Sequence, residues 1–338
     1  MTEPATTETK NQSWRKLGWG LVAFILVAIL PPFNAVVPIE QSLLLLIPVV
    51  AACAVAGWRL GARAALALLW LALAVWVLLQ PAGEAGTPYD QMARGWAILL
   101  AASFGIVNLW STATPFFTRA LAAVALATGV GFVIALSSPS GIPRFERAAS
   151  DEYARRTNWW IERLNEKTRS PDARDFYDRF PMLDNYDAQT EEVYRDISQN
   201  TAPLVPGLIA LESLAALALG WSIYHRLSRV PLGPKLSPLV DFRFNDQLIW
   251  GLAVGLTLCL LPAFGEGRTA GFNLLIFFGG LYLIRGLAVL SWIARGRYAF
   301  MFVLSLFPVT LLLLGGIALA LGLGDTWLDL RRRPPAAA

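Results

Sequence analysis

The sequence has few charged residues and almost no histidine or cysteine. Of its 338 residues, 15% are charged, 56% are hydrophobic, one is histidine and two are cysteine. Average soluble proteins carry about 25% charged residues, so the composition excludes an ordinary soluble globular chain. The single histidine, His225, excludes sites built from several histidines. The two cysteines, Cys53 and Cys259, lie far apart in apolar runs and form neither a CxxC motif nor a disulfide framework.

Nucleotide-binding and hydrolase signatures are also missing. The sequence contains no GxxxxGK(S/T), GxGxxG or GxSxG motif, the patterns that cradle phosphates or present a nucleophile. We therefore expect no catalytic residues, no cofactor, no metal site and no enzymatic activity. The net charge of +4 does not indicate nucleic-acid binding, because the excess Lys and Arg residues lie at the ends of apolar runs, as in cytoplasmic loops of membrane proteins.

Nine apolar runs are candidate membrane-spanning helices, since about 20 apolar residues cross ~30 Å of hydrocarbon. They are Leu17–Leu30, Gln41–Gly57, Ala64–Gln80, Gly95–Trp110, Pro115–Leu136, Pro203–Tyr224, Gln247–Phe264, Phe272–Ile293 and Phe300–Gly322. The first run ends at Pro31-Pro32 and need not cross fully. The predicted fold class is all-α: a polytopic membrane bundle of eight to nine transmembrane helices with a small helical extramembrane insertion.

The charges divide the chain into five segments. Between Gly141 and Asn200 lie 10 Lys/Arg and 13 Asp/Glu residues, which indicates a soluble insertion within an apolar chain. The predicted segments are a polar tail (1–16), an N-terminal membrane bundle of about five spans (17–137), the insertion (138–202), a C-terminal bundle of about four spans (203–323) and a polar tail (324–338).

The insertion is predicted to be a set of amphipathic helices. Residues at spacings of four and seven share one face of a helix over Arg144–Arg169; they are Phe145, Ala149, Tyr153, Trp160 and Leu164. A second helix is predicted after Pro171, with Phe176, Tyr177 and Phe180 on its apolar side, and a third over Thr190–Ser198. Two interpretations stay open: a lid on the membrane surface, or a cap over a cavity in which Trp159 and Trp160 face a ligand or partner.

The distribution of Lys and Arg predicts the orientation. Arg59 and Arg63, and the loop Arg226–Arg243, fall on the cytoplasmic side if the N-terminus is cytoplasmic, and the insertion is then periplasmic. With nine spans, however, Arg331–Arg333 would lie outside, which opposes the rule. We predict a bacterial inner-membrane protein with this orientation.

Three ionisable residues lie in or next to the apolar runs and are candidate functional residues. Glu212 and Arg285 are each the only charge well inside their run, and we predict that they form an intramembrane pair. Structural alternatives are a pair that only fixes helix packing, or an Arg285 that extends to the headgroups. Asp246 is a candidate for a partner or ligand surface, together with Trp159 and Trp160, although an acid in the first turn of a helix explains it equally.

Segments of the C-terminal third resemble the YybS-like family of uncharacterised bacterial polytopic membrane proteins. The resemblance rests on Val230–Leu252, Tyr282–Trp292 and Leu321–Arg333. The matching positions are Phe242, Phe244 and Trp250, then Gly286–Val289, then Asp325, Trp327, Asp329 and Arg331. That family has no assigned biochemical activity, so the resemblance implies a membrane location and nothing about a substrate.

Three functions remain open from the sequence. The first is a transport-related or partner-binding membrane subunit without its own nucleotide site. The second is a structural or assembly subunit of a larger membrane complex, and the third is a transferase that acts on a lipid-linked substrate. The expected partners are the lipid bilayer and other membrane proteins, with no nucleic acid, and the sequence identifies no small-molecule ligand.

Overall fold

The chain folds into α-helices. The computed structural model describes residues 7–29, 33–80, 86–110, 113–138, 140–168, 191–192, 194–197, 199–230, 232–261, 265, 267–294 and 308–331. In chain order the helices are α1 (Thr7–Ile29), α2 (Ser42–Arg59), α3 (Ala64–Leu79), α4 (Pro88–Trp110), α5 (Phe116–Leu136), α6 (Gly141–Thr168), α7 (Val205–Leu227), α8 (Ile249–Leu260), α9 (Arg268–Ile293) and α10 (Pro308–Leu328). Short 3-10 helices span Phe33–Ala35, Ala202–Leu204, Leu239–Asp241 and Asp246–Leu248. The described residues contain no strand, and the predicted all-α class is confirmed.

Five segments within the described residues are long and apolar enough to cross a membrane. They are Ser42–Arg59, Pro88–Trp110, Phe116–Leu136, Tyr194–Leu227 and Arg268–Ile293. Three further predicted runs form shorter apolar helices: Ala64–Leu79, Asp246–Leu260 and Leu313–Leu328. Helix α8 has 12 residues and is about 18 Å long, less than the ~30 Å hydrocarbon thickness. Within the described residues, five helices long enough to span a membrane and three shorter apolar helices are consistent with the predicted polytopic helical bundle.

The chain forms two compact units, Met1–Lys235 (unit 1) and Leu236–Ala338 (unit 2). The predicted boundary between the insertion and the C-terminal bundle, at residue 203, precedes α7. In the structure α7 packs against α1, α2 and α5 and belongs to unit 1. The predicted helix after Pro171, with Phe176, Tyr177 and Phe180, lies outside the described residues.

Helix α2 forms the core of unit 1. It packs against α1, α3, α4 and α7, and Leu45, Val49 and Cys53 on it are completely buried. Gly220 of α7 lies against Val49 so closely that a methyl group at this position would overlap the valine side chain. A helix that is apolar on all sides is suited to this central place.

The polar residues of unit 1 lie at its two ends. At one end, which we call the basic end, Trp14 at the start of α1 stacks on Arg226 at the end of α7, with the guanidinium 5.9 Å from the ring. Exposed cations at this end are Arg15, Lys16, Arg59, Arg63, Arg229 and Lys235. At the other end, helix α6 packs against α4, α5 and the 3-10 helices around residues 33–35 and 202–204. The loop of residues 36–41 also lies there.

In unit 2, two shorter helices pack along successive parts of the long helix α9. Helix α8 contacts the first part, where Gly255 meets Gly271 and Leu274. Helix α10 contacts the later part, where Gly286 lies directly against the backbone of Ala318. Because these glycines lack side chains, the helix backbones approach each other closely.

Candidate functional site

Arg156 of α6 is the centre of the polar end of unit 1. Its side chain is 7% exposed, and its Nε pairs with Glu152 at 2.9 Å and with Glu40 at 3.2 Å. Its Nη1 donates to the carbonyl of Val37 at 2.9 Å, and its Nη2 to that of Pro38 at 3.1 Å. One guanidinium thereby joins the insertion helix to the loop between α1 and α2.

Two tyrosines and a glutamate fix the same loop from three helices. Tyr89 of α4 donates its hydroxyl to the carbonyl of Pro38 at 3.0 Å, and Tyr153 of α6 to that of Val36 at 3.4 Å. The backbone N–H of Ile39 donates to Oε2 of Glu212 on α7 at 3.1 Å. The loop is thus held by hydrogen bonds to α4, α6 and α7, which makes it a rigid wall.

The spacing of residues on α6 produces this arrangement. Glu152 and Arg156 are four residues apart, and Arg155 lies three residues after Glu152, so all three side chains meet on one side of the helix. Arg155 binds both oxygens of Glu152, at 2.7 and 3.1 Å. Ala149 and Tyr153 occupy the adjoining apolar face and pack in a small core with Tyr89 and Val205.

The ion pairs outweigh the cost of burial at this site. Burial opposes the charge of Glu152, but hydrogen bonds from Arg155 and the charge of Arg156 lower its pKa below the ordinary value. Burial likewise opposes the charge of Arg156, yet the carboxylate of Glu40 and its other neighbours raise its pKa. Burial also raises the pKa of the Tyr153 hydroxyl. Glu152 and Arg156 are therefore charged, and Tyr153 is neutral, near neutral pH.

A polar cleft opens beside Arg156. Its volume is about 180 Å³, below the ~300–1,000 Å³ of pockets for drug-sized ligands but enough for several waters or a small solute. It is lined by Pro38, Ile39, Glu40, Gln41, Leu44, Thr87, Tyr89, Asp90, Ala93, Glu152, Arg155 and Arg156. The cleft presents both carboxylates and guanidinium groups to a molecule of that size.

The structure gives Glu212 and Arg285 separate contacts, each within its own unit, and their pairing stays a prediction. Glu212 accepts the hydrogen bond from Ile39 in unit 1, and its Oε1 is buried without a hydrogen-bond partner in the described residues. Arg285 of unit 2 pairs with Asp246 at 2.6 Å and with Asp325 at 2.9 Å. Arg285 is thus neutralised by two carboxylates of unit 2, whereas Glu212 has a single backbone donor among the described residues.

Arg285 belongs to a chain of alternating charges in unit 2. Asp325, whose side chain is 0% exposed, also pairs with Arg331 at 2.8 Å. Arg331 in turn donates to the carbonyls of Val240 and Phe242, and Phe244 lies over Arg285 at 5.2 Å. The network joins the segment before α8 and the end of α10 to the middle of α9. Asp246 is part of it, rather than only an acid in the first turn of a helix.

Trp159 and Trp160, the predicted partner or ligand residues, occupy different environments on α6. Trp159 is 46% exposed and lies under the Arg163 guanidinium at 4.9 Å. Trp160 is half-buried and lines a crevice with Tyr153 and Asn34 that has no room for a ligand. Their rings meet edge to face at 5.2 Å. Neither lines the polar cleft.

Sequence reasoning missed the residues that form the cleft. Glu40, Tyr89 and Arg156 come from three distant segments, and no short motif joins them. One signal was present: Glu152 and Arg156 lie on the same face of α6 as the apolar residues Ala149 and Tyr153. Two charges on the buried stripe of an amphipathic helix indicate partners elsewhere in the chain.

Comparisons with known proteins agree with a membrane location. Residues 170–326 match a family described as a predicted membrane protein, DUF2232. No curated protein and no solved structure matches the chain. Together with its apolar helices, the match supports a multi-pass membrane protein. The resemblance to the YybS-like family rests on three segments; the matched region includes two of them, Val230–Leu252 and Tyr282–Trp292, and the start of the third, Leu321–Arg333.

Proposed function

We propose that this chain is a non-enzymatic, solute-binding subunit of a membrane transport system, related to the YybS-like family. The observation that carries the proposal is the polar cleft of about 180 Å³ at one end of unit 1. Its walls are preformed, because Arg156, Tyr89 and Glu212 each fix the loop that lines it. A preformed site reduces the entropy lost when a ligand binds.

The distribution of charge supports an outward-facing cleft. The exposed cations Arg59, Arg63 and Arg229 lie at the basic end of unit 1, opposite the cleft. Lys and Arg residues in short loops favour the cytoplasmic side of bacterial inner membranes. The cleft would then open to the periplasm, where a transport subunit meets its solute.

The lining of the cleft favours binding over catalysis. The charges of Arg156 and Glu152 are held in ion pairs with each other and with Arg155 and Glu40. A general acid or base needs a pKa near the working pH, whereas the ion pairs lower the pKa of Glu152 and raise that of Arg156. These groups therefore stabilise the shape and the electrostatic field of the cleft.

Mass spectrometry of the purified full-length protein tests this function. We expect protein extracted in mild detergent to release a small polar molecule, in an amount that falls strongly in a Glu40→Gln variant. Arg63→Gln, at the basic end, is the control and should keep the molecule. A protein that carries only an isoprenoid lipid would contradict the proposal in favour of a lipid-linked transferase.

A second role, assembly with a protein partner, is favoured by Trp159. This exposed ring on the outer helix α6, stacked with Arg163, combines two residue types that are frequent at energetically important interface positions. If the chain is an assembly subunit, Trp159→Ala should release a stoichiometric protein that co-purifies with the wild type. Retention of that protein by the variant would place the interface elsewhere.

A further inference from the structure

We infer that the cleft of unit 1 binds a compact organic cation, such as a solute with a primary ammonium group. This inference rests on the proposed solute-binding function and names its ligand class. It follows from which hydrogen-bonding groups around the cleft are already used and which are left over.

Each nitrogen of the Arg156 guanidinium already contacts an acceptor of the protein. Its Nε faces Glu152 and Glu40, its Nη1 faces Val37, and its Nη2 faces Pro38. Burial of the side chain, at 7% exposure, further reduces its access to a solute. These contacts and the burial of the side chain limit the access of an anionic ligand to Arg156.

Two carboxylates at the cleft keep acceptor capacity. Glu40 has a side chain 40% exposed, and among the described residues its one ion-pair contact is to Arg156 at 3.2 Å. Asp90 uses Oδ2 for Arg94 at 2.8 Å, and its Oδ1 has no hydrogen-bond partner in the described residues. A carboxylate accepts through about four lone-pair directions, so both side chains can receive further N–H donors.

The groups left over in the lining point to the same class. The cleft is lined by the carboxylates of Glu40, Asp90 and Glu152 and by the guanidinium groups of Arg155 and Arg156. Because Arg94 pairs with Asp90, the charges balance, and the unused acceptors decide the ligand class. Gln41 and Thr87 add neutral polar groups to the wall. An ammonium group has three donors and no acceptor, so it complements a site with unused acceptors.

Three probes of equal chain length and different charge test the inference: n-propylammonium, propionate and n-propanol. Each is titrated by calorimetry into the full-length protein in detergent, up to tens of millimolar. We expect n-propylammonium to bind more tightly than the other two. Glu40→Gln should weaken the binding of n-propylammonium by about 10- to 100-fold, because one charge-assisted hydrogen bond is lost. Glu162→Gln, an exposed acid of α6 outside the cleft, should leave it unchanged.

A second variant separates loss of binding from loss of shape, since Glu40→Gln also removes a partner of Arg156. Asp90→Asn leaves the contacts of Arg156 intact and should also weaken the binding of n-propylammonium. The assignment of a cationic ligand is overturned if propionate or n-propanol binds more tightly than n-propylammonium. It is also overturned if both variants bind n-propylammonium with the affinity of the wild type. If propionate binds and Glu40→Gln abolishes that binding, the solute-binding function stands and the assignment of a cationic ligand is wrong. Absence of binding by all three probes would reject the solute cleft itself.

Discussion

Arg155 and Arg156 provide a matched test of what holds the cleft together. The two arginines are neighbours on α6 and pair with the same carboxylate, Glu152, but their side chains are 46% and 7% exposed. Replacement of each by methionine removes the charge and keeps a flexible side chain of similar length. We expect Arg156→Met to destabilise unit 1 strongly and Arg155→Met to have little effect.

The expected magnitudes follow from burial. Removing one partner of a buried ion pair costs about 3–5 kcal/mol. In Arg156→Met, Glu152 keeps Arg155 as a partner, which reduces the cost. The carbonyl of Val37 meanwhile loses its donor, which adds about 1–3 kcal/mol. We therefore expect a loss of about 3–5 kcal/mol for Arg156→Met, against about 0.2–1 kcal/mol for the half-exposed Arg155.

Cys53 allows the loss to be measured in unit 1 alone. It is completely buried in α2, so a thiol-reactive dye reports its exposure on heating when Cys259 is replaced by serine. One kcal/mol shifts the midpoint of chains of about 150–250 residues by about 2–4 °C. The midpoint should fall by about 6–20 °C for Arg156→Met and by less than about 4 °C for Arg155→Met. Equal shifts for the two variants, or no shift for Arg156→Met, would refute the account of Arg156 as the centre of the site.

Three further predictions concern single contacts. Asp325→Asn should destabilise unit 2 by about 3–5 kcal/mol, because the buried Arg331 loses its carboxylate partner and Arg285 keeps only the exposed Asp246. Asp246→Asn, whose carboxylate is 59% exposed, should cost less than about 1 kcal/mol. In a thermal-stability cycle, Glu212→Ala and Arg285→Ala should add, and a coupling above about 0.5 kcal/mol would support the pairing. The pKa of Glu152 is lower in the folded protein than its ordinary value of 4.5. Its ion pairs therefore stabilise the fold fully above pH 4.5, and this stabilisation is lost as the pH falls through the pKa of the folded state. The unfolding midpoint of the wild type should then decline more steeply in acid than that of Glu152→Gln; parallel curves would contradict this assignment.

The helices of the membrane bundle could be predicted closely from apolar runs. Helix α5 was predicted over Pro115–Leu136 and spans Phe116–Leu136, because Pro115 marks its start. Helix α4 begins at Pro88, seven residues before the predicted Gly95. Its first turns are polar and are stabilised by the ion pair of Asp90 with Arg94. Hydropathy detects apolar turns and misses a polar turn that local ion pairs hold in the helix.

The candidate site was predictable only in part. Glu212 and Arg285 were identified because a charge inside an apolar run needs compensation. Their partners were not, since Ile39 contributes a backbone N–H and Asp325 lies 40 residues beyond Arg285. The cleft depends on contacts between segments far apart in sequence, and single-helix periodicity contains no information about them.

The central claim is that a preformed cleft faces the periplasm at the end of unit 1 opposite the basic end. Single cysteines at Glu40, in the cleft, and at Arg229, at the basic end, test it most directly, in a chain whose Cys53 and Cys259 are replaced by serine. Intact spheroplasts are treated with a membrane-impermeant maleimide. We expect Glu40→Cys to be labelled and Arg229→Cys to be labelled only after lysis. Labelling of Arg229→Cys in intact spheroplasts, with protection of Glu40→Cys, would contradict the account.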